Sequence, residues 1–267
     1  MAEKKEVVIK IENLVKEFGG RRVLDGINLE IYKGESFVIM GGSGCGKSTV
    51  LRHIIGGLRP DSGKVYLFGE DISAAGEDKM DGFKKRFGML FQSAALFDSL
   101  TVEENISLPL REHTKLDGHI IKIIVKMKLE LVGLHGFGHL YPSQLSGGMK
   151  KRVGLARAIA LDPEIIFYDE PSAGLDPVVT AVIDKLIVDL SEKLSITSVI
   201  VTHDMSSVFR IADRIAMLHK GKVLEIGTKE EIQNSKNEYV KQFITGSPDG
   251  PIGFFKPDEN YLQELTK

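Results

Sequence analysis

Ser36-Phe37-Val38-Ile39-Met40 runs almost unbroken apolar into Gly41-Gly42-Ser43-Gly44-Cys45-Gly46-Lys47-Ser48. A strand that is apolar on both faces must be covered on both faces, as in the centre of a parallel sheet. The glycines let successive backbone N–H groups turn inward. A helix beginning near Lys47 aims the positive end of its dipole at the same point. The segment fits G-x-x-x-x-G-K-[ST], with the strand before it and the helix after it that the pattern requires. Such a loop cradles phosphate. Its backbone runs from Gly41 to Gly46, Lys47 is placed for the β- and γ-phosphates, Ser48 for Mg²⁺, and Thr49 adds a hydroxyl near the α-phosphate. Cys45 invites a nucleophile reading, but no basic partner is evident, and a small side chain at a tolerant loop position is the expectation.

The remaining pattern alternates strands with helices. Residues 7–14, 22–32, 64–68, 88–92, 164–168, 198–202, 214–219 and 222–226 read as strands, the last two around the turn Lys220-Gly221. Helices are expected from Lys47 to about Ile55, ended by Gly56-Gly57 and Pro60, and over roughly 177–194. Between about Thr101 and Leu161 the pattern is helical, which predicts a helical subdomain of about 100–161 inserted into a sheet domain. This alternation argues a parallel α/β sheet. After Gly246 the composition shifts to Pro, Gly and aromatics, so 1–245 reads as one domain and 246–267 as an extension.

Bulk properties exclude several roles. A net charge of -2 without a long like-charged block argues against a dedicated nucleic-acid binder. Cys45, the single cysteine, has no intramolecular disulfide partner, which fits a reducing cytoplasm. Neither an apolar leader nor a run of about 18 apolar residues is present, so action at a membrane is expected to go through a partner.

Two further segments carry chemistry. Ile165-Ile166-Phe167-Tyr168-Asp169-Glu170 has the form of a buried strand ending in two carboxylates. Alone, such a pair is equally read as solvation or helix capping. Downstream of a phosphate loop, Asp169 suits Mg²⁺ and Glu170 suits the polarisation of an attacking water. Leu145-Ser146-Gly147-Gly148 precedes a helix with Val153, Ala156 and Ala160 on one stripe and Leu155, Ala158 and Ile159 on another. Ser146 is a good N-cap. Gly147 and Gly148 leave N–H groups bare at the helix start, a second anion cradle. One nucleotide already fills the first cradle, so the second is expected to grip a nucleotide held by another copy, head to tail.

These motifs resemble those of the ATP-binding cassette (ABC) ATPases, over about residues 6–245. The resemblance implies an α/β fold of the P-loop NTPase class. Its parts are a RecA-like mixed or parallel sheet core, an antiparallel β subdomain and an inserted α-helical subdomain. It also implies ATP and Mg²⁺ as ligands and a homodimer. Phe18 stands where the family has an adenine-stacking aromatic. Gln92, expected at a strand end, matches the Q-loop glutamine that senses Mg²⁺ and the attacking water. Ser172-Ala173-Gly174-Leu175-Asp176 resembles the D-loop, placing Asp176 at the dimer interface with Ser146, Gly147 and Gly148. Val201-Thr202-His203-Asp204 resembles the H-loop, with His203 on the γ-phosphate. Singly, Phe18 fits a core aromatic, Gln92 a strand-end polar residue and His203 a loop histidine; in order and at this spacing they match the family together. Met149 departs from the family's usual Gln, so no ribose contact is assigned to it.

Met89–Val102 and Pro109-Leu110-Arg111-Glu112-His113-Thr114 resemble the ATPases of Mce/Mla lipid transporters, as does Gly246-Ser247-Pro248-Asp249-Gly250-Pro251. This branch implies a membrane permease, a substrate-binding protein with an Mce domain, and in some systems a STAS-domain protein on the helical subdomain. It also implies residence at the cytoplasmic face of the inner membrane. A permease helix is expected in a groove beside Gln92, with Phe97 and Leu100 either lining it or lying in the core. Phe254, Phe255 and Tyr261 suggest that the tail packs on a neighbouring copy. An importer ATPase for an amino acid or metal is the alternative. Nucleic-acid machines of this family insert long coiled coils between Ser48 and Leu145, and none fits there.

Overall fold

Strands and helices sort into two sheets in the computed structural model, which describes residues 5–253. β1 (Val7–Phe18) and β2 (Arg21–Tyr32) form a hairpin, and β3 (Ser36–Met40) leads into α1 (Lys47–Ile54). β4 (Ser62–Leu67) and β5 (Glu70–Asp71) return to the hairpin, and α2 (Glu77–Lys84) precedes β6 (Phe87–Leu90). Three helices follow: α3 (Val102–His113), α4 (Gly118–Leu131) and α5 (Gly147–Ala158). The chain then alternates through β7 (Ile165–Asp169), α6 (Pro177–Leu194), β8 (Thr197–Thr202), α7 (Met205–Ile211), β9 (Arg214–His219) and β10 (Lys222–Thr228). It closes with α8 (Lys229–Gln233) and α9 (Glu238–Thr245). Phe254, Phe255 and Tyr261 lie outside the described residues. Among the described residues no helix is long and apolar enough to cross a membrane.

The antiparallel sheet runs β2-β1-β4-β5 and the larger sheet β10-β9-β3-β8-β7-β6. In the larger sheet β3, β6, β7, β8 and β9 are parallel, and only β10 runs against its neighbour β9. Alternate residues of the parallel strands point to opposite faces. Phe37, Ile39, Phe167, Val199 and Val201 pack with α1 and the antiparallel sheet. Val38, Met40, Ile166, Tyr168 and Ile200 pack with α5, α6 and α7. Burial on both faces is the reason these strands read as continuous apolar runs.

The expected elements differ from the observed ones in instructive places. β1 continues to Phe18 instead of ending near residue 14, because Asn13 takes a left-handed conformation (φ 49°) and the β1–β2 register shifts between Ile11 and Leu14. That bulge breaks the alternation from which the strand was read. β6 ends at Leu90, not 92. Gln92 therefore lies in the turn beyond the strand, which Ala94 and Ala95 bend through left-handed conformations at φ 62° and 45°. Short helices α2, α7, α8 and α9 escaped the pattern reading. Residues 247–252 fold back on α9: the Gln242 amide donates to the Ser247 and Ile252 carbonyls, and its oxygen accepts from Ile252 N–H at 2.7 Å.

The helical layer is anchored through α5, which lies tight on β6. A Cβ on Gly88 would meet the Ala158 carbonyl oxygen at 2.1 Å, and one on Gly154 would meet Leu90 Cδ1 at 2.9 Å. α4 buries Ile121, Val125 and Leu129, yet leaves Ile120, Ile123 and Met127 exposed on its other side. Gly88→Ala is expected to destabilise the fold by about 1–3 kcal/mol through overpacking, lowering Tm by about 2–4 °C per kcal/mol. Gly82→Ala on the exposed face of α2, where a Cβ meets nothing within 4 Å, leaves Tm unchanged or higher; paired thermal melts check both.

Candidate functional site

Parallel register brings the functional strand ends level. Met40 pairs with Thr202, Asp169 with Val201, and Leu90 with Tyr168. The loops that leave this edge carry Gly41–Gly46, Glu170, His203 and Gln92. Ligands of open α/β sheets gather at such carboxyl ends.

The glycine loop is shaped by its surroundings. Gly41, Gly44 and Gly46 have φ of 152°, 74° and 110°. A Cβ on Gly41 would meet the Leu218 carbonyl oxygen at 2.3 Å, and one on Gly46 would meet Leu24 Cδ2 at 2.6 Å. Gly46 caps α1 without a side-chain hydrogen bond, so the first-turn N–H groups, with Ser48 and Thr49 among them, keep an open end for an anion. Lys47 is buried and folds over the loop, its Nζ donating to Gly41 O at 2.8 Å and Gly42 O at 3.2 Å. An ammonium over a glycine loop that leads to open N–H groups at a helix start is a donor set for phosphate oxygens, so the cradle fits a nucleotide. A cavity of about 730 Å³ flanks the loop on the side of Arg22, Val23, Lys220 and Phe243, and Gly42–Cys45 contribute to its wall. Lys47, Ser48, Asp169 and Glu170 do not line it.

Across the sheet, Ser48 Oγ donates to Asp169 Oδ1 at 3.1 Å. A hydroxyl and a carboxylate in contact are hard oxygen donors, the set that Mg²⁺ prefers. Glu170 follows immediately. Its Oε1 lies 2.9 Å from His203 Nδ1 and 4.0 Å from Lys47 Nζ. Glu170 itself holds a left-handed conformation at φ 49°. Its N–H donates to Val201 O at 2.8 Å. The structure thus gathers Lys47, Ser48, Asp169, Glu170 and His203 in one chain. The Gln92 side chain is exposed in the turn nearby, and Phe18 ends β1 with its ring half-exposed and Lys16 Nζ 5.5 Å from its centroid.

The second group stands apart. Ser146 caps α5, accepting Met149 N–H at 3.3 Å, and Asp176 caps α6, accepting from Val178 and Val179 N–H at 3.0 Å. Gly147 and Gly148 press on the D-loop side: a Cβ on Gly148 would meet Val179 Cγ1 at 2.5 Å. Among the described residues no hydrogen bond or ion pair joins Ser146, Gly147, Gly148 or Asp176 to the glycine loop.

Sequence reasoning passed over Lys151 and Arg157 of α5. Lys151 Nζ donates to Gln92 O at 2.6 Å and to Glu170 O at 3.2 Å. Arg157 donates to Ala95 O at 2.7 Å and Ala94 O at 2.8 Å. Cations on a helix ordinarily read as a solvated face, and only the apolar stripes on both sides of α5 hinted at burial. A groove of about 480 Å³ opens between β6 and α3, lined by Phe87, Met89, Phe91, Phe97, Leu108 and Pro109, with Lys84 and Glu112 at its edge. Phe97 lines it and Leu100 does not.

The chain resembles known proteins in sequence and in fold. Residues 24–173 match the family described as ABC transporter. The chain is 45% identical over 258 residues to the intermembrane phospholipid transport system ATP-binding protein MlaF of Haemophilus influenzae, covering 97% of this chain and 98% of that one. It is 41% identical to a probable ribonucleotide transport ATP-binding protein, mkl, of Mycobacterium leprae, covering 97% of this chain and 75% of that one. Among solved structures, it resembles the dimeric ATP-binding cassette MJ0796 in a post-hydrolysis state bound to ADP and Pi. The TM-score is 0.76 at 33% identity, covering 82% of this chain and 98% of that one.

Cys45, in the loop, has its side chain buried in the apolar cluster beneath it. Burial pushes its thiol above the ordinary range, outweighing the pull of Lys47. The folded protein is expected to react with an aromatic disulfide reagent at neutral pH at least about tenfold more slowly than the denatured chain. Stopped-flow absorbance reads both rates, and equal rates refute the assignment.

Proposed function

The chain belongs to the ABC transporter family of ATPases, and we propose that it powers phospholipid transport through a separate membrane permease. The observation that carries hydrolysis is the Glu170 carboxylate, held between His203 and Lys47 beside the Ser48–Asp169 pair. Gly41–Gly46 and Thr49 bind the phosphates by backbone and hydroxyl groups, and Lys47 moves from the loop carbonyls to the β- and γ-phosphates. Ser48 and Asp169, with Gln92, are the residues for Mg²⁺, which when bound offsets phosphate charge. Glu170 polarises the attacking water, His203 contacts the γ-phosphate, and Phe18 stacks on the adenine.

Ser146, Gly147, Gly148 and Asp176 complete the site from a second copy. Their separation from the glycine loop within one chain supports this arrangement. Closing two copies on two nucleotides then moves the permease, and hydrolysis reopens them. The relative of Haemophilus influenzae, matched along nearly its whole length, supports phospholipid as cargo. The name of the mycobacterial relative supports a second reading, a ribonucleotide transporter. The groove edged by Lys84 and Glu112 suits a permease helix, with Phe91 and Phe97 as apolar anchors. The exposed Ile120, Ile123 and Met127 of α4 suit a further partner on the helical layer, in the manner of a STAS-domain protein. An Mce-domain protein completes the system, and the ATPase sits at the cytoplasmic face of the inner membrane.

Glu170→Gln is expected to lower turnover by about 10²–10⁴-fold, equivalent to about 3–5 kcal/mol of barrier, with ATP affinity unchanged. Turnover at the wild-type rate in that variant refutes the assignment. Co-purification from membranes should yield the permease with bound phospholipid; bound ribonucleotide without lipid selects the second reading. In the same preparation Glu112→Lys is expected to lose the permease while keeping basal hydrolysis. An undiminished permease yield excludes the groove as its seat.

A further inference from the structure

Three non-glycine residues around the site hold left-handed backbone: Glu170, Ala94 and Ala95, at φ of 49°, 62° and 45°. A residue with a Cβ is disfavoured there, because the Cβ crowds the following carbonyl oxygen. Such conformations persist where the surroundings over-determine them. Here all three carbonyls accept from α5, Glu170 from Lys151 and the two alanines from Arg157. Neither cation has a carboxylate partner among the described residues.

Lys151 is the more telling of the two. Its side chain is only 5% exposed, and a buried ammonium is expensive to desolvate. Burial accordingly lowers its pKa, against the pull of Glu170 and Asp169. A methionine or leucine would fill the same space at lower cost. What the ammonium adds is a tie between two loops: its two acceptors are the main chains of Gln92 and Glu170. With Val201 O holding the Glu170 N–H and Lys151 holding its carbonyl, the residue is pinned on both sides while its carboxylate meets His203. The same helix begins at Ser146, five residues or about 7.5 Å from Lys151 along the axis. Gly88 and Gly154 leave no slack between this helix and β6.

We propose that Lys151 is a positioning residue for Glu170, holding the Glu170 main chain and the Gln92 turn to the helix that Ser146 caps. A shift of that helix on a nucleotide is thereby felt at the carboxylate of its own chain, so the surface that grips the partner's ATP sets the readiness of the chain's own site. This rests on the reading that Glu170 polarises the attacking water.

The test uses the full-length chain in the complex with which it co-purifies. Lys151→Met is expected to lower kcat by about 10- to 100-fold, the penalty for a small misplacement of a reacting group, with KM for ATP changed by less than about threefold. Lys151→Arg, which keeps cationic donors, restores kcat to within about threefold of wild type. In single-turnover measurements Lys151→Met slows Glu170→Gln by a smaller factor than it slows the wild type, because part of its effect runs through the Glu170 carboxylate, and an equal factor in both backgrounds overturns the proposal. Wild-type kcat in Lys151→Met overturns the proposal, as does an Arg variant as slow as Met, or a joint loss of kcat and ATP binding. If Lys151→Met does not fold, Lys151→Gln takes its place, and failure of both to fold makes Lys151 a stability element and sinks the idea. Wild-type turnover in Glu170→Gln alone refutes the catalytic reading instead, whatever Lys151 does.

Discussion

Parallel pairing of β3 with β8 and of β8 with β7 brings three strand ends level, and the site is assembled from what leaves those ends. Side chains alternate across a strand, so a one-residue slip would exchange the two apolar faces of the sheet. It would also carry Asp169 away from Ser48. Both faces are buried, by α1 with the antiparallel sheet on one side and by α5, α6 and α7 on the other. Packing on both faces therefore fixes the register, and the register fixes the chemistry.

Helix α5 gives this edge its second role. Its N-terminus is capped by Ser146, which accepts Met149 N–H. Its middle turn reaches the site of its own chain through Lys151, and its last turn reaches the Gln92 turn through Arg157. The glycines at positions 88 and 154 remove side chains where the helix meets β6 and the turn beyond it. Close backbone approach replaces soft side-chain contact at this seat. The apolar groove beside β6 lies next to the same turn, with Phe91, Ala95 and Phe97 in its lining.

Much of this was legible along the chain because the relevant signals are local. The glycine loop between an apolar strand and a helix start, the strand ending in Asp169 and Glu170, and the cap at Ser146 each occupy consecutive residues. The helix expected over roughly 177–194 is found at Pro177–Leu194, where Asp176 caps it and Pro177 opens it. Reading failed where the period is interrupted. The bulge at Asn13 hid the second half of β1, and the left-handed turn at Ala94 and Ala95 took Gln92 off the strand. Lys151 escaped that reading, since nothing in the run Lys150-Lys151-Arg152 marks which cation faces inward.

By itself the sequence determined the motifs, the alternation of strand and helix, and the family. All of these rest on runs of neighbouring residues whose spacing must suit a sheet, a helix or a phosphate. Only the tertiary structure decided which of those residues meet. Ser48 and Asp169 lie 121 positions apart, and their contact depends on strand order and register. Likewise the burial of Lys151 and the exposed stripe on α4 follow from how helices seat on the sheet. The physical reason is that local patterns report which side of an element is apolar, while the partner of that side is chosen by long-range packing.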